Sequence, residues 1–154
     1  MNFYELLEEG HRKVAQLVNR IDHSKAGSDQ REELFLELKH EIELHSVVEE
    51  TIVYPALEKE AETSAMSLEA REENRIVKVL LDEMEGLDTD DEQWEAKFKV
   101  VRERIQEHVK QEEGEIFPAA RKVISDEQAE ELGACIITET ALRRAGDPEP
   151  ATKD

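Results

Sequence analysis

Residues 45–56 read HSVVEETIVYPA, and residues 108–119 read HVKQEEGEIFPA. At an offset of 63 residues, both stretches carry a histidine, two glutamates four and five residues later, and an aromatic–proline–alanine end. The same offset aligns apolar positions outside the two stretches, among them Phe35 with Phe98 and Ile42 with Ile105. The chain therefore contains an internal repeat, and we expect two helical hairpins packed about a pseudo-twofold axis.

Apolar positions recur with a period of 3.6 residues and predict five helices. Their approximate ranges are 4–23, 28–60, 63 or 67–86, 89–119 and 125–146. Capping boxes are predicted to begin the fourth helix at Thr89 and the fifth at Ser125. Because the connections are short, neighbouring helices should pack antiparallel. The expected fold is all-α, an up-down-up-down four-helix bundle with a short C-terminal fifth helix.

Length, charge and cysteine content bound the class of protein. The 154 residues suit one domain, predicted over residues 1–145, with a disordered tail at residues 146–154. One cysteine allows neither an intrachain disulfide nor a C-x-x-C metal site. A net charge of -19 disfavours nucleic acid and acidic lipid surfaces as partners. We see no signal-peptide pattern and no apolar run of about 20 residues, so we expect a soluble, cytoplasmic protein. No particular protein partner is indicated.

The repeated histidine and glutamate carry the chemistry. His45 and Glu49 lie one helical turn apart on the apolar face, and His108 and Glu112 do the same in the second half. An ionised carboxylate on a core face costs several kcal/mol unless it is paired or bound to a metal. Neither face carries a lysine or arginine that could neutralise it. The pattern therefore indicates a bound cation, and the mixed nitrogen and oxygen ligands favour iron, manganese or zinc over copper(I).

The repeat is broken at one position of interest. His11 on the first helix aligns with Asn74 on the third, although the neighbouring residues agree. Other polar or aromatic groups near the motifs are expected to play no direct part. Tyr54 and Phe117 are predicted to be packing residues, and His40 is predicted to lie on the surface.

These residues resemble the hemerythrin-like, or HHE cation-binding, family over about residues 3–122. The resemblance is carried by His11 and by the two repeated segments, His45 to Pro55 and His108 to Pro118. It implies a non-heme di-iron centre within a four-helix bundle. By that resemblance His11 and His45 would hold one iron, His108 would help to hold the other, and Glu49 and Glu112 would bridge them.

The chain departs from the family pattern on the third helix. The family usually supplies one or two histidines there, whereas this chain has Asn74 and Arg71. An oxygen ligand could come from Glu73 or from Asn74 instead. The remaining alternatives are a water ligand or a half-filled site.

Three functions follow from the pattern and the resemblance. The first is a protein with two irons that binds or senses oxygen, peroxide or a related small oxidant. The second is a mononuclear or labile metal binder, with one iron, manganese or zinc, that acts as a sensor or store. The third is a degenerate structural bundle without metal. Ferritin-type sites are disfavoured because their ligand helices carry Glu-x-x-His, the reverse of the order found here.

Overall fold

A computed structural model describes residues 1–146, and all regular structure in this range is helical. Of the predicted tail at residues 146–154, only Gly146 is among the described residues. The elements in chain order are α1 (Phe3–Asp22), α2 (Asp29–Val48), π1 (Glu49–Val53), α3 (Tyr54–Glu58), α4 (Ala61–Glu85), α5 (Glu92–Gln111), π2 (Glu112–Ile116), α6 (Phe117–Arg121) and α7 (Asp126–Gly146).

Five helical rods result, because α2, π1 and α3 run on without interruption, as do α5, π2 and α6. Four rods form the bundle, and α7 packs against α1 and α2. The all-α class and the bundle architecture are as predicted. Within residues 1–146, no helix is both long and apolar enough to cross a membrane.

The hydrophobic core is divided into two clusters. One lies at the end of the bundle where α1 begins, and its largest members are Phe3, Tyr4, Tyr54, Ile116 and Phe117. The other lies toward the opposite end, and its largest members are Ile21, Phe35, Met84, Trp94 and Phe98. Between the clusters the helices present polar side chains, so the sequence repeat places a polar layer at mid-height in the bundle.

Side chains cap the starts of α1, α2 and α5. Asn2 begins α1 with a reciprocal capping box, and the Ser28 hydroxyl accepts from the backbone of Arg31 at the start of α2. The predicted cap at Thr89 is wrong: Asp91 caps α5, and its side chain accepts from the backbone N–H of Gln93. Thr89 is buried instead, and its hydroxyl accepts from the Gly27 N–H at 2.9 Å. That bond ties together two interhelical loops at one end of the bundle.

Each repeated motif contains a widened helical turn. In π1 the Tyr54 N–H reaches back five residues to the Glu49 carbonyl, and in π2 the Phe117 N–H reaches the Glu112 carbonyl. The next residue in each rod is a proline, which has no N–H to donate and disfavours a regular α-helix through this point. Such π turns are uncommon and occur mostly at functional sites. Both begin at a motif glutamate.

Candidate metal centre

The histidines and the two buried glutamates of the polar layer come from three of the rods. His11 comes from the middle of α1, His45 from the last turn of α2, and His108 from the last turn of α5. Glu49 and Glu112 are the first residues of the two π turns, and they are 0% and 1% exposed. One ligand atom from each of His11, His45, Glu49 and Glu112 can be chosen so that all four atoms lie within 4.8 Å of one another.

Each buried carboxylate lies between histidines of the two halves. Glu112 places Oε1 at 3.2 Å from His11 Nε2 and Oε2 at 3.0 Å from His108 Nε2. Glu49 places Oε1 at 3.6 Å from His45 Nε2 and at 3.8 Å from His108 Nε2. Both carboxylates are therefore positioned to contact two neighbouring cations at once.

The inward-facing atoms of this layer lack hydrogen-bond partners. Seven buried side-chain nitrogen or oxygen atoms within residues 1–146 are unpartnered, and five belong to this layer. They are Nε2 of His11, His45 and His108, Oε2 of Glu49 and Oε1 of Glu112. A buried polar atom without a partner costs about 1–3 kcal/mol. Three imidazole nitrogens and two carboxylate oxygens converging in this way form a donor set that fits a metal ion.

Two of the three histidines are held from behind by glutamates. His11 Nδ1 donates to Glu113 at 3.0 Å, and His108 Nδ1 donates to Glu73 at 3.0 Å. Metal-ligating histidines usually make such a bond, because it fixes the tautomer that leaves Nε2 free. Glu73 thus contacts the outer nitrogen of His108, and it also lines the cavity beside the inward atoms. Sequence spacing alone could not assign this role, because it depends on how α4 and α5 are placed against each other.

The two helix-three positions that depart from the family pattern have different surroundings. Asn74 faces the site and donates its amide N–H to Glu49 Oε1 at 3.3 Å. Arg71 points elsewhere: it pairs with Glu58 and donates to the Glu50 carbonyl at 3.0 Å. Its guanidinium lies 5.6 Å from the centre of the Tyr54 ring.

The hydroxyl of Tyr54 was missed by the sequence analysis, which treated this residue only as packing. It donates to Glu112 Oε2 at 3.3 Å, and burial followed by the charges of Glu49 and Glu112 raises the pKa of Tyr54. The repeat offered a signal, since its counterpart is Phe117, which has no hydroxyl. Phe117 instead stacks on the His11 ring with centroids 6.5 Å apart. His40 is exposed, as predicted.

Charge coupling within the layer favours the ionised forms. Burial lowers the pKa of His45 and His108, but the neighbouring carboxylates outweigh it and raise both. The effect is larger for His108, which faces Glu112, Glu49 and Glu73. Burial raises the pKa of Glu49, but the charge of His45 and hydrogen bonds with Glu112, His108 and His45 outweigh it and hold this pKa well below its usual value. In metal-free protein the carboxylates are thus offset by protonated histidines, and a bound metal ion would displace those protons and take their place.

A cavity of about 50 Å³ adjoins the inward atoms. On the side of the hydrophobic cluster that contains Trp94, the cavity is lined by apolar side chains from four helices. These are Val14, Ile42, Val77, Ile105 and Val109. Its size admits water or a diatomic or triatomic molecule.

Comparison with known proteins agrees with this geometry. The chain is 28% identical over 135 residues to the uncharacterized protein Rv2633c of Mycobacterium tuberculosis, covering 86% of this chain and 81% of that protein. It is 25% identical over 134 residues to a DNA nickase of Nostoc, of whose length the match covers 37%. The crystal structure of an HHE cation-binding domain protein from Mycobacterium kansasii, a homolog of Rv2633c, superposes with a TM-score of 0.83. That structure is 27% identical, and the match covers 94% of this chain and 88% of that one.

The family model of the hemerythrin HHE cation-binding domain matches residues 2–120, which span both repeats and every residue of the polar layer. With the helical bundle, the paired His-x3-Glu motifs and the convergent unpartnered atoms already described, this match shows that the chain belongs to the hemerythrin HHE cation-binding family.

Proposed function

We propose that this protein is a non-heme di-iron protein that binds or senses oxygen, peroxide or a related small oxidant. The observation that carries the proposal is the set of five buried, unpartnered ligand atoms that converge between the two hydrophobic clusters. A structural bundle without metal would leave these atoms to ion pairs between the histidines and the carboxylates or to water, and each atom left without a partner would cost about 1–3 kcal/mol.

The donor set divides into two positions. His11 and His45 would hold the first metal, His108 would hold the second, and Glu49 and Glu112 would bridge, because each carboxylate lies between histidines of both halves. Iron bound there would supply Lewis-acid and redox chemistry toward a small oxidant. The protein's own part is to orient the imidazoles, through Glu113 and Glu73, and to restrict access.

Size and polarity of the adjoining cavity support a small ligand. With about 50 Å³ and a wall of valines and isoleucines, it excludes larger substrates and limits the number of water molecules beside the metal. Ser46 and Asn74 add polar groups to the cavity lining, and the Tyr54 hydroxyl donates to the Glu112 carboxylate in the neighbouring layer.

A mononuclear or labile metal site is the second candidate, and the asymmetry of the halves favours it. The first position has two histidines, whereas the second has only His108, because Asn74 stands where the repeat would place a partner for it. Asn74 turns its amide N–H to Glu49, and Glu73 is engaged behind His108. The second metal would then bind more weakly than the first.

Metal stoichiometry distinguishes these functions. Purified protein loaded anaerobically with iron(II), then exposed to oxygen, should contain about two irons per chain and show new visible absorption. About one metal per chain would support the mononuclear reading, and none would support a metal-free bundle.

The ligand assignment is tested by a matched pair of variants. His45→Ala should lose metal, whereas His40→Ala, which removes an exposed histidine from the same helix, should retain it. Equal metal content in the two variants would contradict the assignment.

A further inference from the structure

A second and larger cavity lies on the outer side of His45. It has a volume of about 600 Å³, is open to solvent on one side and is lined by residues of α1, α2 and α7. Apolar side chains form one part of its wall, with Leu6, Leu44 and Ile136 among them, and basic side chains form another. A volume of this order is typical of small-molecule sites.

His45 differs from the other two histidines in what lies behind it. Glu113 holds His11 Nδ1 and Glu73 holds His108 Nδ1, but no group within residues 1–146 accepts from His45 Nδ1. At the repeat offset, Gly10 is the counterpart of Glu73. A Cβ atom at Gly10 would come within 2.7 Å of His45 Nδ1, so this glycine is what leaves the nitrogen room beside the cavity that both residues line.

The charges around this cavity differ in sign from those of the molecule as a whole. Three basic and two acidic side chains line it, although the chain carries a net charge of -19. Glu41 pairs with two of the bases, since it accepts from Lys13 at 2.9 Å and from Arg144 at 3.0 Å. Arg12 and Glu9 make no ion pair within the described part of the chain, and the five charged side chains together leave one net positive charge at the cavity wall.

We propose that this cavity binds an aliphatic monocarboxylate. Its carboxylate would accept from His45 Nδ1–H and pair with Arg12, and its hydrocarbon chain would pack along Leu6, Leu44 and Ile136. The carboxylate of the bound acid would therefore contact His45 Nδ1 as the Glu73 carboxylate contacts His108 Nδ1 in the other half. An inorganic anion would use the same two donors but would leave the apolar wall in contact with water.

Occupancy of this site affects the metal centre through one ring. A carboxylate that accepts from Nδ1–H keeps the proton on Nδ1. The lone pair of His45 Nε2, which faces the polar layer, is then available to bind a metal. If His45 is a metal ligand, as the proposed function has it, metal and carboxylate should each raise the affinity for the other by the same factor. Binding of the carboxylate itself does not require metal.

Octanoate titrated into the metal-free, full-length chain and followed by calorimetry tests the site. We expect saturable one-to-one binding, with octanol at least about tenfold weaker because a charge-assisted hydrogen bond is lost. Arg12→Leu should weaken octanoate by about tenfold or more. Arg20→Leu, which removes the same charge from an exposed position on the same helix, should bind as the unaltered chain does.

Imidazole ¹⁵N resonances locate the contact. Saturating octanoate should shift Nδ1 of His45 and leave Nδ1 of His108 unchanged. Absence of saturable binding, equal affinity for octanoate and octanol, equal effects of the two arginine variants, or an unmoved His45 resonance would each overturn the proposal. Because these measurements use metal-free protein, their failure is separate from a failure to bind iron.

Discussion

Replacing Gly10 by alanine isolates the steric contribution to the metal centre. The new Cβ would lie 2.7 Å from Nδ1 and 3.1 Å from Cε1 of the His45 ring, closer than unbonded atoms approach. The neighbour is the ring itself rather than a flexible chain end, so the imidazole must rotate or translate. Its Nε2 would then move away from the ligand atoms of His11, Glu49 and Glu112, with which it now shares a candidate metal site.

Two opposing effects set the size of the change in Gly10→Ala. Alanine in a helix interior stabilises the fold by about 1 kcal/mol relative to glycine, whereas overpacking a well-filled site costs about 1–3 kcal/mol. The metal-free variant should therefore be destabilised by no more than about 2 kcal/mol. Metal affinity should fall more clearly, by about 10–100-fold, as when a ligand histidine loses its support.

Chelator competition measures the metal affinity, and urea unfolding of the metal-free protein measures the stability. Gly114→Ala is the matched control, since a Cβ at Gly114 meets nothing within 4 Å although this glycine lies two residues from Glu112. The control should bind metal as the unaltered chain does. Unchanged affinity in Gly10→Ala, or an equal loss in both variants, would refute the steric reasoning.

Four further outcomes are expected. The raised pKa values of His45 and His108 contribute stability that is fully present below the unfolded-state pKa of about 6.5 and is lost as pH rises through the folded-state values. Urea unfolding of metal-free protein should therefore show this loss on the alkaline side; increasing stability there would contradict it. On the acid side, the lowered pKa of Glu49 predicts a loss of stability as pH falls from about 4.3 through its folded-state value, and the same urea series measures it. Asn74→His should raise the metal content toward two per chain by elemental analysis, and unchanged stoichiometry would mean that another group completes the second position. Tyr54→Phe should lower the free energy of unfolding by about 1 kcal/mol with unchanged metal content, whereas loss of metal would assign the hydroxyl a larger role.

The fold could be predicted from sequence because its determinants are local. Helical periodicity and the serines Ser28 and Ser125 before helices act within a few turns, and the repeat at an offset of 63 residues is visible from matching positions in two similar segments. The cap at Thr89 failed because a tertiary contact competed: the threonine hydroxyl is used by Gly27 of another loop.

The candidate site was predictable in position but not in detail. His-x3-Glu spacing indicates which side chains share a face, and the repeat indicates that two such faces meet. The roles of Glu73, Tyr54 and Gly10 depend instead on contacts between different helices. Those contacts form only if the helices are positioned relative to each other to within about an ångström. Spacing along one helix carries no information on that register, so only the three-dimensional structure shows which side of an imidazole each residue contacts.

The two π turns have a consequence for the spacing of buried groups along a rod. In a regular α-helix, residues five apart, such as Glu112 and Phe117, project about 140° from each other. Here both are buried, at 1% and 2% exposure, and so are Glu49 and Tyr54. The extra residue in each wide turn allows the glutamate and the aromatic residue five positions later to face the interior from the same helix. Deleting a single residue between them would restore a regular α-helical turn, in which residues four apart project only about 40° from each other, so the acid and the ring would still face the interior while the wide turn disappeared.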